Sequence, residues 1–212
     1  MTPVPGFCGV ILAAGASTRM GKDKALLEWP PSGATSDTLL SAAIRAFVPF
    51  NDLVIVVAGK NAADITPVVD ASGGFLTINP EPERGQFSSL QCGLHEVLNH
   101  GRDAAMITLV DKPPVKASTL TKLRTEFDSA LSAGKWAAVP EYGGRHGHPI
   151  LIGREMIEAF LKAPVTANAR EVQRQHQARI HYVPVDDPDT TMNLNTPDDY
   201  ARLASQSTQG GT

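Results

Sequence analysis

Short, continuous apolar runs alternate along the chain with stretches in which apolar residues recur every three or four positions. Val10-Ile11-Leu12-Ala13-Ala14, Leu53-Val54-Ile55-Val56-Val57, Phe75-Leu76-Thr77-Ile78 and Ala105-Met106-Ile107-Thr108-Leu109-Val110 are four such runs. Rich in β-branched residues and free of polar alternation, they read as strands covered on both faces, the pattern of a parallel sheet. One helical stripe is Leu39, Leu40, Ala43, Ile44 and Phe47, with Ser36 or Thr38 as its cap. A second is Leu90, Leu94, Val97 and Leu98, and a third Leu120, Leu123, Phe127 and Leu131. This alternation predicts a doubly wound α/β fold with a mostly parallel sheet.

After about residue 135 the pattern changes. Trp136–Pro140 and Pro149–Ile152 read as strands around a Gly-rich hairpin, Glu141–Gly147, with a helix near Arg154–Leu161. A strand over Arg179–Pro184 and a helix over Pro197–Leu203 follow. The polar tail 205–212 is expected to fray. No internal repeat or linker divides residues 1–204, which are expected to form one domain.

Composition narrows the class. The chain has 212 residues, of which 42% are hydrophobic and 19% charged, a balance that excludes a disordered polymer. Nineteen basic against 22 acidic residues leave a net charge of −3, with no basic footprint for nucleic acid. No apolar run approaches the ~18 residues of a membrane span. The apolar start Phe7–Ala14 lacks the basic flank of a signal peptide, and Cys8 and Cys92, each among apolar neighbours, read as core thiols. A soluble cytoplasmic protein is the expectation. Gly (18) and Pro (16) are in excess, and many of them stand in the loops that carry the candidate chemistry.

The first of these loops, Gly15-Ala16-Ser17-Thr18-Arg19-Met20-Gly21-Lys22-Asp23-Lys24, follows the first strand, where open α/β sheets bind ligands. It is not a P-loop, because five residues separate its glycines and Asp23 follows Lys22; Ser17 breaks a dinucleotide-binding fingerprint. Its small residues, N–H donors and three cations nevertheless suit a polyphosphate. The stretch Leu12-Ala13-Ala14-Gly15-Ala16-Ser17-Thr18-Arg19-Met20-Gly21-Lys22-Asp23-Lys24 resembles the signature of the MobA-like nucleotidyltransferases, which include molybdenum cofactor cytidylyl- and guanylyltransferases. The resemblance implies a glycosyltransferase-A-like fold, with a nucleotide-binding half to about residue 115 and an acceptor half over 116–204. It also implies that Arg19 and Lys24 hold a triphosphate while the backbone of Leu12, Ala13, Ala14 and Gly15 meets base and ribose.

Four further segments fall in the family's order. Gly85-Gln86-Phe87-Ser88-Ser89-Leu90 opens the second helix, and free N–H groups and hydroxyls there suit an anionic ligand. The resemblance makes Ser88 and Ser89 nucleotide contacts, with Asn79 upstream as another. Asp111, at a strand end before Pro113-Pro114, is a natural Mg²⁺ ligand, since Mg²⁺ takes one or two carboxylates with phosphates and water. Lys112 stands where the family usually has a neutral residue, and is a candidate acceptor contact. Gly144-Arg145-His146-Gly147-His148-Pro149 resembles the Gly-His-Pro segment of cytidylyltransferase-like members, which makes His148 an acceptor contact; His146 and His148 lack a third ligand for zinc. Asn193-Leu194-Asn195-Thr196-Pro197 resembles the closing motif and places Asn195 beside the metal, with a neutral oxygen where many members carry Asp. Asp186, Asp187 and Asp189 just upstream read as solvated loop residues.

The resemblance implies a Mg²⁺-dependent nucleotidyltransferase that joins an NTP to a small phosphate-bearing acceptor, a molybdopterin-type phosphate, and releases pyrophosphate. Arg19, Lys24 and Asp111 are the candidate catalytic groups. Ala14, Ser88-Ser89 and Gly-His-Pro favour CTP, whereas Asn195 leans to GTP. Two alternatives stay open. One is a guanylyl- or sugar-phosphate nucleotidyltransferase on the same scaffold. The other is a non-catalytic nucleotide-binding accessory protein with a molybdoenzyme partner, kept open by Lys112 and the Asn-x-Asn motif.

Overall fold

A computed structural model describes residues 6–15, 23–31, 37–164, 166–196 and 198–200. In chain order these form β1 (Phe7–Leu12), α1 (Leu39–Phe47), β2 (Leu53–Ala58), α2 (Ala62–Ala71), β3 (Phe75–Ile78), α3 (Gln86–Asn99) and β4 (Ala104–Leu109). There follow α4 (Ala117–Ser132), β5 (Ala137–Tyr142), β6 (Arg145–His146), β7 (Ile150–Gly153), α5 (Arg154–Lys162), α6 (Ala169–Gln175) and β8 (Ile180–Pro184). The strands and helices expected from periodicity are present within a few residues of their expected bounds. Helix α1 starts at Thr38, whose hydroxyl accepts from Ser41 N (3.1 Å) while Ser41 Oγ accepts from Thr38 N (2.9 Å). The alternative cap, Ser36, lies outside the described residues, and so does most of the last expected helix, of which 198–200 are helical.

Two helices were not legible in the sequence. Helix α2 carries Pro67 inside it and buries only Ile65 and Val69. Helix α6 has seven residues and buries only Val172; its start is fixed by a reciprocal Asn168–Glu171 cap rather than by an apolar stripe. Neither offers enough apolar periodicity to be read.

The strands form one sheet in which β3, β2, β1 and β4 are parallel neighbours. Strand β7 then runs antiparallel to both β4 and β5, so β5 points the same way as β1 and β4. Strand β5 carries β6 and β7 along one edge and β8, in parallel, along the other. Alternation along β1 sends Phe7 and Ile11 to the face covered by α1, α2 and α4, and Cys8, Val10 and Leu12 to the face covered by α3, α5 and α6. Gly93 lets α3 lie close on that second face: a Cβ there would stand 2.7 Å from Val10 Cγ1 and 2.9 Å from Val57 Cγ2. Part of the glycine excess is therefore packing rather than loop chemistry.

Among the described residues no helix is long and apolar enough to cross a membrane. Cys8 is buried, which pushes its thiol up to about 11. Cys92 departs from the expected core position. It is only half-buried, with Sγ 3.9 Å from Thr77 Oγ1.

Candidate active site

The site grows from the middle of the sheet. Leu12 and Leu109 are register partners at the ends of β1 and β4, and Val110 N donates to Leu12 O (3.0 Å), so the two exits stay side by side. Asp111 comes two residues beyond β4. The chain returns at Asp23, whose Oδ1 accepts from Ala25 N (3.0 Å) and caps a short 3-10 turn, Lys24–Leu26. Leu194 N donates to Asp111 O (2.8 Å) and carries Asn195 to the same corner. Lys24 Nζ thus stands 3.0 Å from Asn195 Oδ1 and 3.5 Å from Asp111 Oδ2. Three residues far apart in sequence, each a candidate from sequence, meet at one ammonium group.

Asp111 Oδ1 is buried and has no hydrogen-bond partner among the described residues. An orphan carboxylate oxygen forgoes its solvation, roughly 1–3 kcal/mol or more for a charged group, unless a ligand supplies a partner. Asp111 belongs to the wall of a cavity of about 680 Å³, which Leu12, Ala14, Gly15, Lys24 and Ser89 also line. Among the described residues no three His, Cys, Asp or Glu side chains form a metal-binding group. The donors present, one carboxylate and one amide oxygen, fit a hard cation of the Mg²⁺ type, which completes its shell with phosphates and water. Asp111 and Asn195 are the residues that would hold it. A second cavity, about 660 Å³, lies between α5 and α6 and contains none of the candidate residues.

The nucleotide candidates divide by role. Ser89 is buried at the cavity wall. Ser88 turns its hydroxyl back to donate to Gly85 O (2.8 Å), at the start of α3. Asn79 is buried, donating to Ser88 Oγ (2.8 Å) and Ser89 Oγ (3.0 Å) and accepting from Glu81 N (3.0 Å). Its amide is wholly engaged in shaping the helix start. Ala13 is buried behind the cavity wall, and its carbonyl accepts from Asn61 Nδ2 (3.0 Å). Arg19 lies outside the described residues, as does the rest of 16–22.

Sequence reasoning missed Asn61. It donates to Asp23 Oδ2 (2.6 Å) and accepts from Gly59 N (3.1 Å), tying the returning loop to the end of β2, and Lys60 lines the cavity beside it. The available signal was the Gly59-Lys60-Asn61 exit from a central strand, since β1 lies between β2 and β4 and both exits flank its loop.

Lys112 and His148 do not line this cavity, but lie near enough to Asp111 and to each other for their charges to interact. Lys112 is buried, and burial lowers its pKa, opposed by the Asp111 charge and assisted by Arg145. His148 Nδ1 lies 3.4 Å from Ile107 O; because a carbonyl only accepts, Nδ1 carries the proton. Burial, then the Lys112 charge, lower the His148 pKa to about 4, so the ring is neutral at pH 7. His146 faces elsewhere, stacked on Tyr182 with ring centroids 4.0 Å apart. Asp187 corrects the expectation of a solvated acidic loop: it is fully buried, with Oδ2 accepting from Lys116 N (3.0 Å) and Thr119 Oγ1 (2.7 Å).

Comparison with known proteins identifies the family. Residues 9–180 match the model of the MobA-like NTP transferase domain. The chain is 23% identical over 202 residues to the molybdenum cofactor cytidylyltransferase of Escherichia coli (strain K12), covering 94% of this chain and 96% of that one. It is 28% identical over 204 residues to the molybdenum cofactor guanylyltransferase of Rhodobacter capsulatus, at 92% and 94% coverage. It is also 26% identical over 206 residues to the nicotine blue oxidoreductase of Paenarthrobacter nicotinovorans, at 95% and 98%. The crystal structure of Rv0371c from Mycobacterium tuberculosis H37Rv superposes with a TM-score of 0.76 at 27% identity, over 97% of this chain and all of that one. A second structure of that protein is a manganese complex, with a TM-score of 0.69 at 22% identity, over 94% of this chain and 98% of that one. With the family match spanning most of the sheet and the exits of β1, β2 and β4 lining the cavity, the chain belongs to the MobA-like NTP transferase family and is a nucleotidyltransferase.

Proposed function

We propose that the chain transfers a nucleoside monophosphate, CMP in preference to GMP, from an NTP to a small phosphate-bearing acceptor of the molybdopterin type, releasing pyrophosphate. The observation that carries this is the Lys24–Asp111–Asn195 corner, with its orphan carboxylate oxygen, where Lys24 and Asp111 line the cavity. The names of the cytidylyl- and guanylyltransferase relatives support the substrate class, and the manganese complex of the structural neighbour supports a divalent cation. Free thiols at Cys8 and Cys92 suit a reducing compartment, the cytoplasm.

In this reading the acceptor phosphate attacks the α-phosphorus in line, and pyrophosphate leaves with the electron pair of the broken P–O bond. The protein positions and neutralises rather than forming a covalent bond. Lys24, held by Asn195 and Asp111, presents its ammonium to the triphosphate, and Arg19 supplies a second cation. Asp111 and Asn195 would hold Mg²⁺, which when bound spreads the phosphate charge and fixes the phosphate geometry. Ser89 and the N–H groups at the start of α3 bind the nucleotide. Lys112 draws the acceptor phosphate to the β4 side. Neutral His148, with Nδ1–H committed to Ile107 O, leaves Nε2 as an acceptor on the acceptor half.

The test is incubation with Mg²⁺, each NTP and a panel of phosphate acceptors, following pyrophosphate. CTP-dependent release is the expected result. GTP-dependent release supports the second reading, which Asn195 favours. No release with any acceptor, alongside nucleotide binding, supports an accessory protein. Base preference is checked separately by thermal unfolding, since a ligand at 100 times its Kd adds about 2.7 kcal/mol. Equal shifts from CTP and GTP would remove the preference.

A further inference from the structure

We propose that Asp187 is a positioning residue for the acceptor side of the site, acting through main-chain hydrogen bonds on His148 and, through the start of α4, on the Lys112 segment. Its side chain is fully buried, and both carboxylate oxygens are engaged. Oδ2 accepts from Lys116 N (3.0 Å) and Thr119 Oγ1 (2.7 Å), and Oδ1 from Asp189 N (3.3 Å). The carboxylate therefore joins two segments that share no secondary structure: the first turn of α4 and the turn Pro188–Thr191. Helix α4 has no capping side chain of its own, and Asp187 instead holds the N–H of its N-cap residue, Lys116, from a distance. A negative group at a helix start is also favoured by the helix dipole.

The turn passes this constraint onward. Thr190 Oγ1 donates to Asp187 O (2.7 Å), and Thr190 O accepts from His148 N (2.8 Å). Gly147 packs so closely on the same carbonyl that a Cβ would overlap it. The segment Gly147–His148 thus rests on one carbonyl whose position Asp187 determines. At the other end, Lys116 is joined to Lys112 through Pro113-Pro114-Val115, a stretch whose two prolines leave little freedom to absorb a shift. One buried carboxylate sets the spacing between the two groups assigned to the acceptor.

The functional half of this proposal rests on reading His148 and Lys112 as acceptor contacts, so its test has two arms. Asp187→Asn keeps the volume and sets an NH₂ against N–H donors; Thr119→Val is the milder variant and removes one donor. The first arm measures amide hydrogen exchange. In both variants the His148 amide should exchange faster while amides of β1 and β2 stay protected. The second arm measures transfer kinetics. The acceptor KM should rise about tenfold in Asp187→Asn, and less in Thr119→Val, with NTP affinity unchanged, as expected when positioning of one substrate is lost.

An unchanged His148 amide in both variants would overturn the proposal. So would a released amide with an unchanged acceptor KM, or a lowered melting temperature as the sole effect. If the wild-type chain transfers to no acceptor, the reading of function fails, while the exchange arm still decides whether Asp187 holds His148.

Discussion

Two aspartates on either side of the same proline-stiffened segment have opposite fates. Asp111 ends the β4 exit partly buried, with Oδ2 3.5 Å from Lys24 Nζ and Oδ1 buried and without a partner among the described residues. Asp187 is fully buried, yet three donors satisfy its two oxygens. Folding alone accounts for Asp187, because a carboxylate withdrawn from water is kept only where hydrogen bonds replace it. It does not account for Asp111, which lies in the wall of a cavity and keeps a buried oxygen without a hydrogen-bond partner among the described residues. Unsatisfied polarity marks where a ligand is to come, and satisfied polarity marks what holds the ligand's surroundings in place.

The largest effect expected from this contrast is on rate. Asp111→Asn should cost about 10²–10³ in pyrophosphate release, the usual loss when one electrostatic stabiliser is removed. The same change should move folding stability by no more than about 1 kcal/mol, because no donor loses a partner except Lys24, which keeps Asn195. Asp187→Ala should do the reverse for stability: three donors, among them the buried Thr119 hydroxyl, lose their acceptor, and at ~1–3 kcal/mol each the loss is about 3 kcal/mol or more in a urea titration. If Asp111→Asn unfolds the protein, or Asp187→Ala leaves its urea midpoint unchanged, the contrast is broken.

Next in size is the pH dependence of His148. Its folded value, about 4, lies below the ordinary 6.5, with burial the main cause and Lys112 the second. The unfolded chain therefore binds the proton first as pH falls. The stability associated with a neutral His148 is complete above about 6.5 and is lost progressively down to about 4, up to roughly 3 kcal/mol in all. Melting temperatures between pH 7 and 4 should fall less steeply in His148→Gln than in the wild type. Parallel curves would show that the ring is not held neutral.

Much of the fold was legible because its strands are continuous apolar runs and three of its helices bury full stripes. What escaped, α2 and α6, rests on Pro67 tolerance and on a side-chain cap, neither of which leaves a periodic trace. The site was legible in parts. Lys24, Asp111 and Asn195 were each identified from motif resemblance, but their meeting depends on Leu194 N reaching Asp111 O across the fold. Asn61 and Asp187 went unread for one reason: their importance lies in whom they bond to. Asp187 stands among acidic neighbours, one of them exposed Asp186, and a run of carboxylates looks like solvated loop until a tertiary partner withdraws one of them.

The smallest effect concerns Lys112, the cation beside the unsatisfied aspartate. Burial opposes its charge, the neighbouring Asp111 favours it, and Arg145 adds repulsion. An ammonium kept under those conditions contributes little to folding, since desolvation offsets its attraction to the carboxylate. Lys112→Met preserves the aliphatic stem and should leave stability unchanged or raise it by about 1 kcal/mol. If the charge is retained for a ligand, the same variant should raise the acceptor KM and leave NTP affinity alone. A clear loss of stability would instead move Lys112 to the side of Asp187, as a group held by the fold and needed by it.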